Sequence, residues 1–364
     1  MKEYIYKISF EPHILTGYDY ALEDLLYFDI ETTGFVPKSS ILYLIGFIYF
    51  EDGEYILKQY FADSIDSEKQ ILQAFLSFAA TKKALISFNG DGFDLPYISG
   101  KCRLAGIPCP LNDSESIDIY KCIKPYKKIF KLENTKQKSI EKFIGFERTD
   151  LFAGKELIEK YFQYLKVPSD GLLRALLCHN REDVTGLLNI DSILNYSCIN
   201  TSMLRFESMI FKNAEKTSAN SHSQVYITLK LPLELPAMVS YGNDEVFMQA
   251  HGTLCKLTIN VYEDELKYFY PDYKDYYYLP EEDRSIHKSV AFYVDKNFRT
   301  KAKAANCYSK KTGTFLPQYD EIVSPYFKID YHDKITYFEY TAEFTSNDRL
   351  ILDYAIHLIN HLLK

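Results

Sequence analysis

Residues 41–50 read ILYLIGFIYF, an apolar run interrupted only by Gly46. A helix needs about 20 such residues to cross a bilayer. Ten residues instead predict a fully buried strand, the hairpin partner of the strand before it. That earlier strand is residues 25–31, LLYFDIE, closed by the turn signal Thr32-Thr33-Gly34. After Glu51-Asp52-Gly53 a third strand, residues 55–61, completes an antiparallel meander. Asp66 and Ser67 offer an N-cap to EKQILQAFLSFA, whose apolar residues fall at helical spacing. A further strand, ALISF (84–88), ends at Asn89-Gly90, and a helix is expected to start near Pro96.

Residues 139–166 and 171–196 also read as helical. Residues 212–223 (KNAEKTSANSHS) are polar and poor in large apolar groups, so the domain boundary is placed there. Beyond it VYITLKL, LCKLTINVY, SVAFYV and KITYFEY read as strands, and residues 348–364 as a closing helix. The expected organisation is a first domain over 1–211, a linker over 212–223, and a smaller β-rich domain with a C-terminal helix over 224–364. With 47% hydrophobic and 25% charged residues in 364, both domains can bury a core.

The net charge of −8 gives no general attraction to nucleic acid, although a local basic groove can still track phosphates. Seven scattered cysteines without a CxxC pair disfavour both a disulfide framework and a cysteine zinc site. The N-terminus MKEYIYKISFEPH lacks the apolar core of a signal peptide. A soluble cytoplasmic protein with no membrane association is expected.

Three constellations carry chemistry. Asp29 and Glu31 stand two apart on a strand, so both carboxylates face one side while Phe28 and Ile30 face the other. Side by side they repel, and a divalent cation removes that cost; two acids simply facing water are the plain alternative. In FNGDGFDLP (88–96) the tight Asn89-Gly90 turn exposes the residues after it. Asp94 there is either a helix cap or an outer metal group, and Asp91 is expected to be solvated in the turn. In LLCHNREDVTGLLNI (176–190), His179 and Asp183 stack four apart on one helix face, a spacing that also suits a surface contact.

DIETTG, then FNGxxFDxP, then HNxxDV on a late helix resembles the DEDD 3′→5′ exonuclease superfamily, and more closely its YprB-type ribonuclease H-like members. Intervening pieces fall in that family's order: SIDIY (116–120), the lysine-rich stretch after it, Ser139-Ile140-Glu141, Gly145-Phe146-Glu147-Arg148, Gly154-Lys155-Glu156 and YFQYL (161–165). The resemblance covers residues 22–195 and implies an RNase H-like mixed sheet flanked by helices. It further implies two divalent cations, Mg²⁺ or Mn²⁺, held by Asp29, Glu31, Asp94 and Asp183. Asp29 would bridge both ions, Glu31 and Asp183 would complete the nucleophile side, and Asp94 would hold the leaving-group side. His179 becomes the general base or positioner of the attacking water, with the residue type of one DEDD subclass and the spacing of another. Asp118 becomes a structural neighbour of the site, and Asn89 closes its turn.

The resemblance implies a metal-dependent 3′→5′ exonuclease acting on the 3′ end of single-stranded DNA or RNA. Two alternatives stay open: a non-catalytic module that binds nucleic acid or a helicase-like partner, and a structure-specific endonuclease. Lys121, Lys124, Lys127, Lys128, Lys131, Lys136 and Lys138 read as a phosphate track or a solvated face. Lys296, Arg299, Lys301, Lys303, Lys310 and Lys311 interleave with Phe298 and Tyr308, as in a single-strand-binding surface or a sheet core with basic edges. Tyr268, Phe269, Tyr270, Tyr276, Tyr277 and Tyr278 are assigned to core packing. His357 and His361, four apart on the last helix, lack a third zinc ligand and are read as surface or packing residues.

Overall fold

The computed structural model describes residues 1–11, 15, 17–148, 154–214 and 222–364. In the first unit, β1 (Lys2–Ile8), β2 (Leu25–Thr32), β3 (Leu42–Glu51) and β4 (Glu54–Phe61) precede α1 (Glu68–Ala79). They are followed by β5 (Ala84–Ser87), α2 (Asp94–Ala105), β6 (Glu115–Asp118), α3 (Ile119–Ile123), α4 (Lys127–Phe130), α5 (Gln137–Phe143), α6 (Gly154–Lys166) and α7 (Asp170–Ile190). The six strands form one mixed sheet in the order β1-β4-β3-β2-β5-β6. β2, β3 and β4 make the expected meander, and β5 and β6 run parallel to β2. β1 has no counterpart among the strands expected from the sequence. It is an edge strand whose residues alternate between exposed and half-buried against β4, so its sequence carries little apolar signal.

The pleat divides the sheet into two cores. Leu26, Phe28 and Ile30 of β2 pack with Phe47 of β3 against Ile71, Leu72 and Phe75 of α1 and Tyr97 and Ile98 of α2. On the other face Tyr43, Leu44 and Phe61 meet Leu157, Tyr161 and Tyr164 of α6 and Leu173, Leu176 and Leu177 of α7. This is the RNase H-like mixed sheet flanked by helices.

Several local expectations change. Ser67 stands at the N-terminus of α1 but makes no capping bond; its hydroxyl donates to Asp63 Oδ1 at 2.8 Å and takes the N-terminal ammonium at 2.9 Å. The helical reading of 139–166 splits into α5 and α6 around Gly145, which has a φ of 93°, a left-handed stop that favours glycine. α7 ends at Ile190, and residues 191–200 continue as tighter 3₁₀ turns.

The compact units divide between Ser197 and Cys198, apart from Leu235–Ala237, which group with the first. This corrects the boundary at 212–223. β7 (Arg205–Lys212) pairs antiparallel with β8 (Gln224–Gly242), so the polar segment connects two strands of one sheet. Residues 215–221 of it lie outside the described residues.

The second unit continues with β9 (Val246–Asn260), β10 (Tyr262–Phe269), β11 (Tyr276–Leu279), β12 (Arg284–His287), α8 (Lys288–Ala291), β13 (Thr300–Lys301), β14 (Tyr308–Gln318), β15 (Tyr326–Phe327), β16 (Thr336–Glu339), α9 (Ala342–Thr345) and α10 (Asp348–Leu363). Its sheets run β7-β8-β9, β10-β14-β16-β15 and β12-β11-β13, and α10 is the expected closing helix. SVAFYV is not a strand: residues 288–291 form the short helix α8. His357 accepts the Tyr319 amide at 2.9 Å, and His361 stacks on the Tyr319 ring, so both histidines serve packing. All seven cysteines are free thiols. Among the described residues, no helix is long and apolar enough to cross a membrane.

Candidate active site

Because Phe28 and Ile30 go into the α1–α2 core, Asp29 and Glu31 face the side that α7 covers. Asp29 sits opposite Gly46 in the β2–β3 register, and Glu31 opposite Leu44. The Tyr43 hydroxyl donates to Glu31 Oε2 at 3.5 Å.

α7 is anchored at its start by Ser169, whose hydroxyl accepts the Leu172 amide at 3.3 Å. Further along, the same helix delivers His179, Asn180 and Asp183. His179 Nε2 lies 3.1 Å from Asp183 Oδ2 and 3.6 Å from Glu31 Oε1, so the imidazole joins helix to strand. One ligand atom each from Glu31, His179 and Asp183 falls within 4.8 Å of the others.

Asp94 arrives from the other side of the sheet. The β2–β5 pairing ends at Tyr27↔Ile86, and beyond it the Ile30 backbone is near enough to the Asp94 carboxyl to favour its ionised form. Asp94 is also close enough to Asp29 for its charge to raise the Asp29 carboxyl. Phe93, not Asp94, precedes the helix, so Asp94 is its first residue rather than its cap. The turn before it is tied down by Asp118, whose carboxylate accepts the amides of Asn89 (2.8 Å), Asp91 (3.2 Å) and Lys121 (3.3 Å). Asn89 adopts a φ of 63° and its carbonyl takes the Gly92 and Phe93 amides, both at 3.1 Å. Asp91 is not simply solvated: it accepts Ser116 Oγ at 2.6 Å and pairs with Lys121 at 2.7 Å.

The electrostatics follow from this crowding. Burial pushes the Asp29 carboxyl well above its usual range, and Asp183, Glu31 and Asp94 push it the same way. Burial lifts Asp94 to about 7, against backbone hydrogen bonds that hold it down. Converging carboxyls that resist ionisation are what a divalent cation relieves, and an oxygen-rich set with one imidazole suits Mg²⁺ or Mn²⁺. The chemistry of the donor set therefore fits such an ion.

Sequence reasoning missed the residues that hold this set. Asn180 is fully buried; its amide donates to Asp29 Oδ2 at 3.1 Å while its oxygen accepts Gln59 Nε2 at 2.8 Å. Gln59 also donates to the Leu177 carbonyl at 2.9 Å, which fixes the pair to α7. On the outer side of α7, Arg148 pairs with both Glu141 and Asp183, and Gln137 Nε2 donates to the Asp183 carbonyl at 2.8 Å. Gly186 makes room for that cluster, since a Cβ there would lie 2.1 Å from Glu141 Oε1. The signals were the unassigned Asn of HNxxDV, the Arg of GFER, and the glycines interrupting β3 and α7.

The RNase_H superfamily matches residues 26–195. The first unit contains an RNase H-like domain. Over 181 residues the chain is 26% identical to "Uncharacterized protein YprB" of Bacillus subtilis (strain 168), covering 49% of this chain and 43% of that protein. The chain thus spans less than half of that relative's length. The family B DNA polymerase of the hyperthermophilic archaeon Pyrobaculum calidifontis aligns with a TM-score of 0.40 at 13% identity, over 67% of this chain and 33% of the polymerase. A score that low says nothing about activity.

Beside the carboxylates of the RNase H-like domain lies a cleft of about 500 Å³, lined by Phe88, Asn89, Tyr120, Asn134, Thr135, Lys136 and Gln137. Gln137 belongs to both the cleft wall and the Asp183 support. Lys136 is exposed in its wall, and Lys124, Lys127 and Lys128 are exposed along the segment after Tyr120, whereas Lys121 is bound to Asp91.

Proposed function

We propose that the RNase H-like domain is a metal-dependent 3′→5′ exonuclease that hydrolyses phosphodiester bonds of single-stranded DNA or RNA. The observation that carries this reading is the convergence of Asp29, Glu31, Asp94 and Asp183, carboxyls drawn from β2, α2 and α7; the last three add to burial in raising Asp29. They would hold two divalent cations, which when bound screen the phosphate charge and favour hydroxide over water at neutral pH. Asn180 keeps Asp29 aimed into the site, and Arg148 with Gln137 does the same for Asp183. His179, whose Nε2 lies between Glu31 and Asp183, would position the attacking water or take its proton. The aromatic and amide-lined cleft next to Gln137 takes the strand that leads to the scissile phosphate.

The test uses 3′- and 5′-labelled DNA and RNA strands with Mn²⁺ or EDTA, beside Asp29→Ala. Shortening from the 3′ end that is abolished by EDTA and by the substitution supports the reading. Cleavage of end-blocked strands would assign an endonuclease, and no cleavage under any metal would leave a binding module.

A further inference from the structure

We infer that the loop from α8 to β13 is a second nucleic-acid-binding surface, one that takes single strands by stacking and charge. The sequence left two uses open for the basic and aromatic residues between 296 and 311, and the structure separates them. Tyr308 is buried, Lys310 pairs with Asp283 at 2.5 Å, and Lys311 pairs with Glu339 at 2.6 Å. Those three belong to the sheet. Residues 290–298 do not. Val290 is 56% exposed, Phe292 76%, Tyr293 86% and Phe298 52%. Three aromatic rings crowded onto one short loop and turned to water are a surface built for a partner.

The loop is a fixed platform. It crosses from β12 to β13 on either side of β11, in the three-stranded sheet β12-β11-β13. The amides of Phe292, Tyr293 and Phe298 bond to the carbonyls of Lys288, Val290 and Asp295 at 3.1–3.2 Å. The Arg299 guanidinium lies 4.9 Å over the Tyr277 ring and donates to the Ala291 carbonyl, pinning the base of the loop. Phe292 and Tyr293 meet edge to face with centroids 5.5 Å apart, so both rings keep a free face.

Charge chooses the occupant. In a chain of net charge −8, residues 288–303 carry Lys288, Lys296, Arg299, Lys301 and Lys303 against Asp295 alone. Lys288 is taken by Asp275 at 2.8 Å, and Asp295 caps the next turn by accepting the Asn297 amide at 2.8 Å. Of the acids in the turn between β11 and β12, Glu282 is paired with Arg284 at 2.5 Å and Asp283 with Lys310 at 2.5 Å. Lys296, Lys301 and Lys303 are exposed beside the rings. Alternating flat apolar faces and cations fit splayed bases on a phosphate backbone, in a chain whose other unit is RNase H-like.

The experiment measures binding of the full chain to a labelled single strand, to the matching duplex, and to phosphatidylserine vesicles, all in EDTA. Without cleavage the result does not depend on whether residues 26–195 cut. Single-strand affinity should fall about 10-fold or more in the triple variant F292A/Y293A/F298A, with an unchanged Tm. The exchange F292Y/Y293F, which keeps two rings, should hold within about 2-fold. K296A/K301A/K303A should flatten the slope of log affinity against log salt by about 2, at roughly 0.7 per lysine removed. Wild-type affinity in the alanine triple variant, equal binding of duplex, or preferential capture of vesicles would each overturn the proposal.

Discussion

The Asn180 amide donates to Asp29 Oδ2 across 3.1 Å, and the same side chain receives Gln59 at 2.8 Å. A fully buried amide held on both sides is a positioning device, because every alternative rotamer would leave polar atoms unpaired. Asn180→Ala should cost about 1–3 kcal/mol of stability, read as a drop in Tm. Divalent-metal affinity, measured by calorimetry, should weaken alongside. Asn180→Ala with wild-type metal affinity would show that Asp29 needs no such support.

His179 stands within 3.6 Å of two carboxylates, so it can serve as a proton acceptor or as a ligand. If it handles the proton of the attacking water, His179→Ala should lower kcat by about 10²–10⁴ while metal affinity stays near wild type. A large loss of metal affinity with little effect on saturated turnover would make His179 a ligand instead.

Arg148 is buried between Glu141 and Asp183. Replacing it leaves two carboxylates in low dielectric without their counter-charge, which costs about 3–5 kcal/mol. Arg148→Met should therefore lower Tm markedly, and E141Q in the same chain should restore part of the loss. Added Mn²⁺ should raise the Tm of Arg148→Met by more than that of wild type, because Asp183 then depends on the ion alone. Equal metal-induced shifts in both proteins would argue that Arg148 does not act through Asp183.

The raised carboxyls set a pH dependence with a definite sign. Asp94 binds its proton up to about pH 7 when folded and only up to about pH 4 when unfolded. The folded metal-free protein thus holds more protons across that window, and its stability falls as pH rises through it. In EDTA, Tm should be higher at pH 5 than at pH 8 from this site. Metal binding needs the ionised form, so it should release protons below pH 7 and tighten with rising pH. Calorimetry in buffers of different ionisation enthalpy counts those protons; no release at pH 6 would falsify the assignment of Asp94 to the metal set.

Much of this was legible because it rests on local periodicity. Alternation in LLYFDIET puts Asp29 and Glu31 on one face, and helical spacing in HNREDV puts His179 beside Asp183. Convergence of the two was carried by the resemblance, not by the spacings. The supports were illegible for a physical reason: Gln59 reaches Leu177 and Asn180 from a strand far away in the chain, and Arg148 folds back on α5 from beyond its end. Those contacts exist only once the sheet and α7 are packed. SVAFYV misled in the opposite direction. Its β-branched and aromatic residues match a strand, yet Phe292 and Tyr293 turn to solvent, and nothing local distinguishes a ring that will be buried from one that will not.

Gly46 supplies the sharpest test of how the site is packed. It faces Asp29 across the β2–β3 register with an ordinary strand conformation, so its requirement is space rather than backbone freedom. A Cβ at that position would stand 2.0 Å from Asn180 Oδ1, closer than any real contact. Gly46→Ala must displace Asn180, breaking its bonds to both Asp29 and Gln59, and should cost about 1–3 kcal/mol. In an N180A background the obstacle is gone and the two bonds are already lost. The second substitution should then cost little, giving a coupling energy of about 0.5–3 kcal/mol in the double-mutant cycle. Strict additivity of the two unfolding free energies would mean that Gly46 is required for something other than admitting Asn180 to the carboxylate beside it.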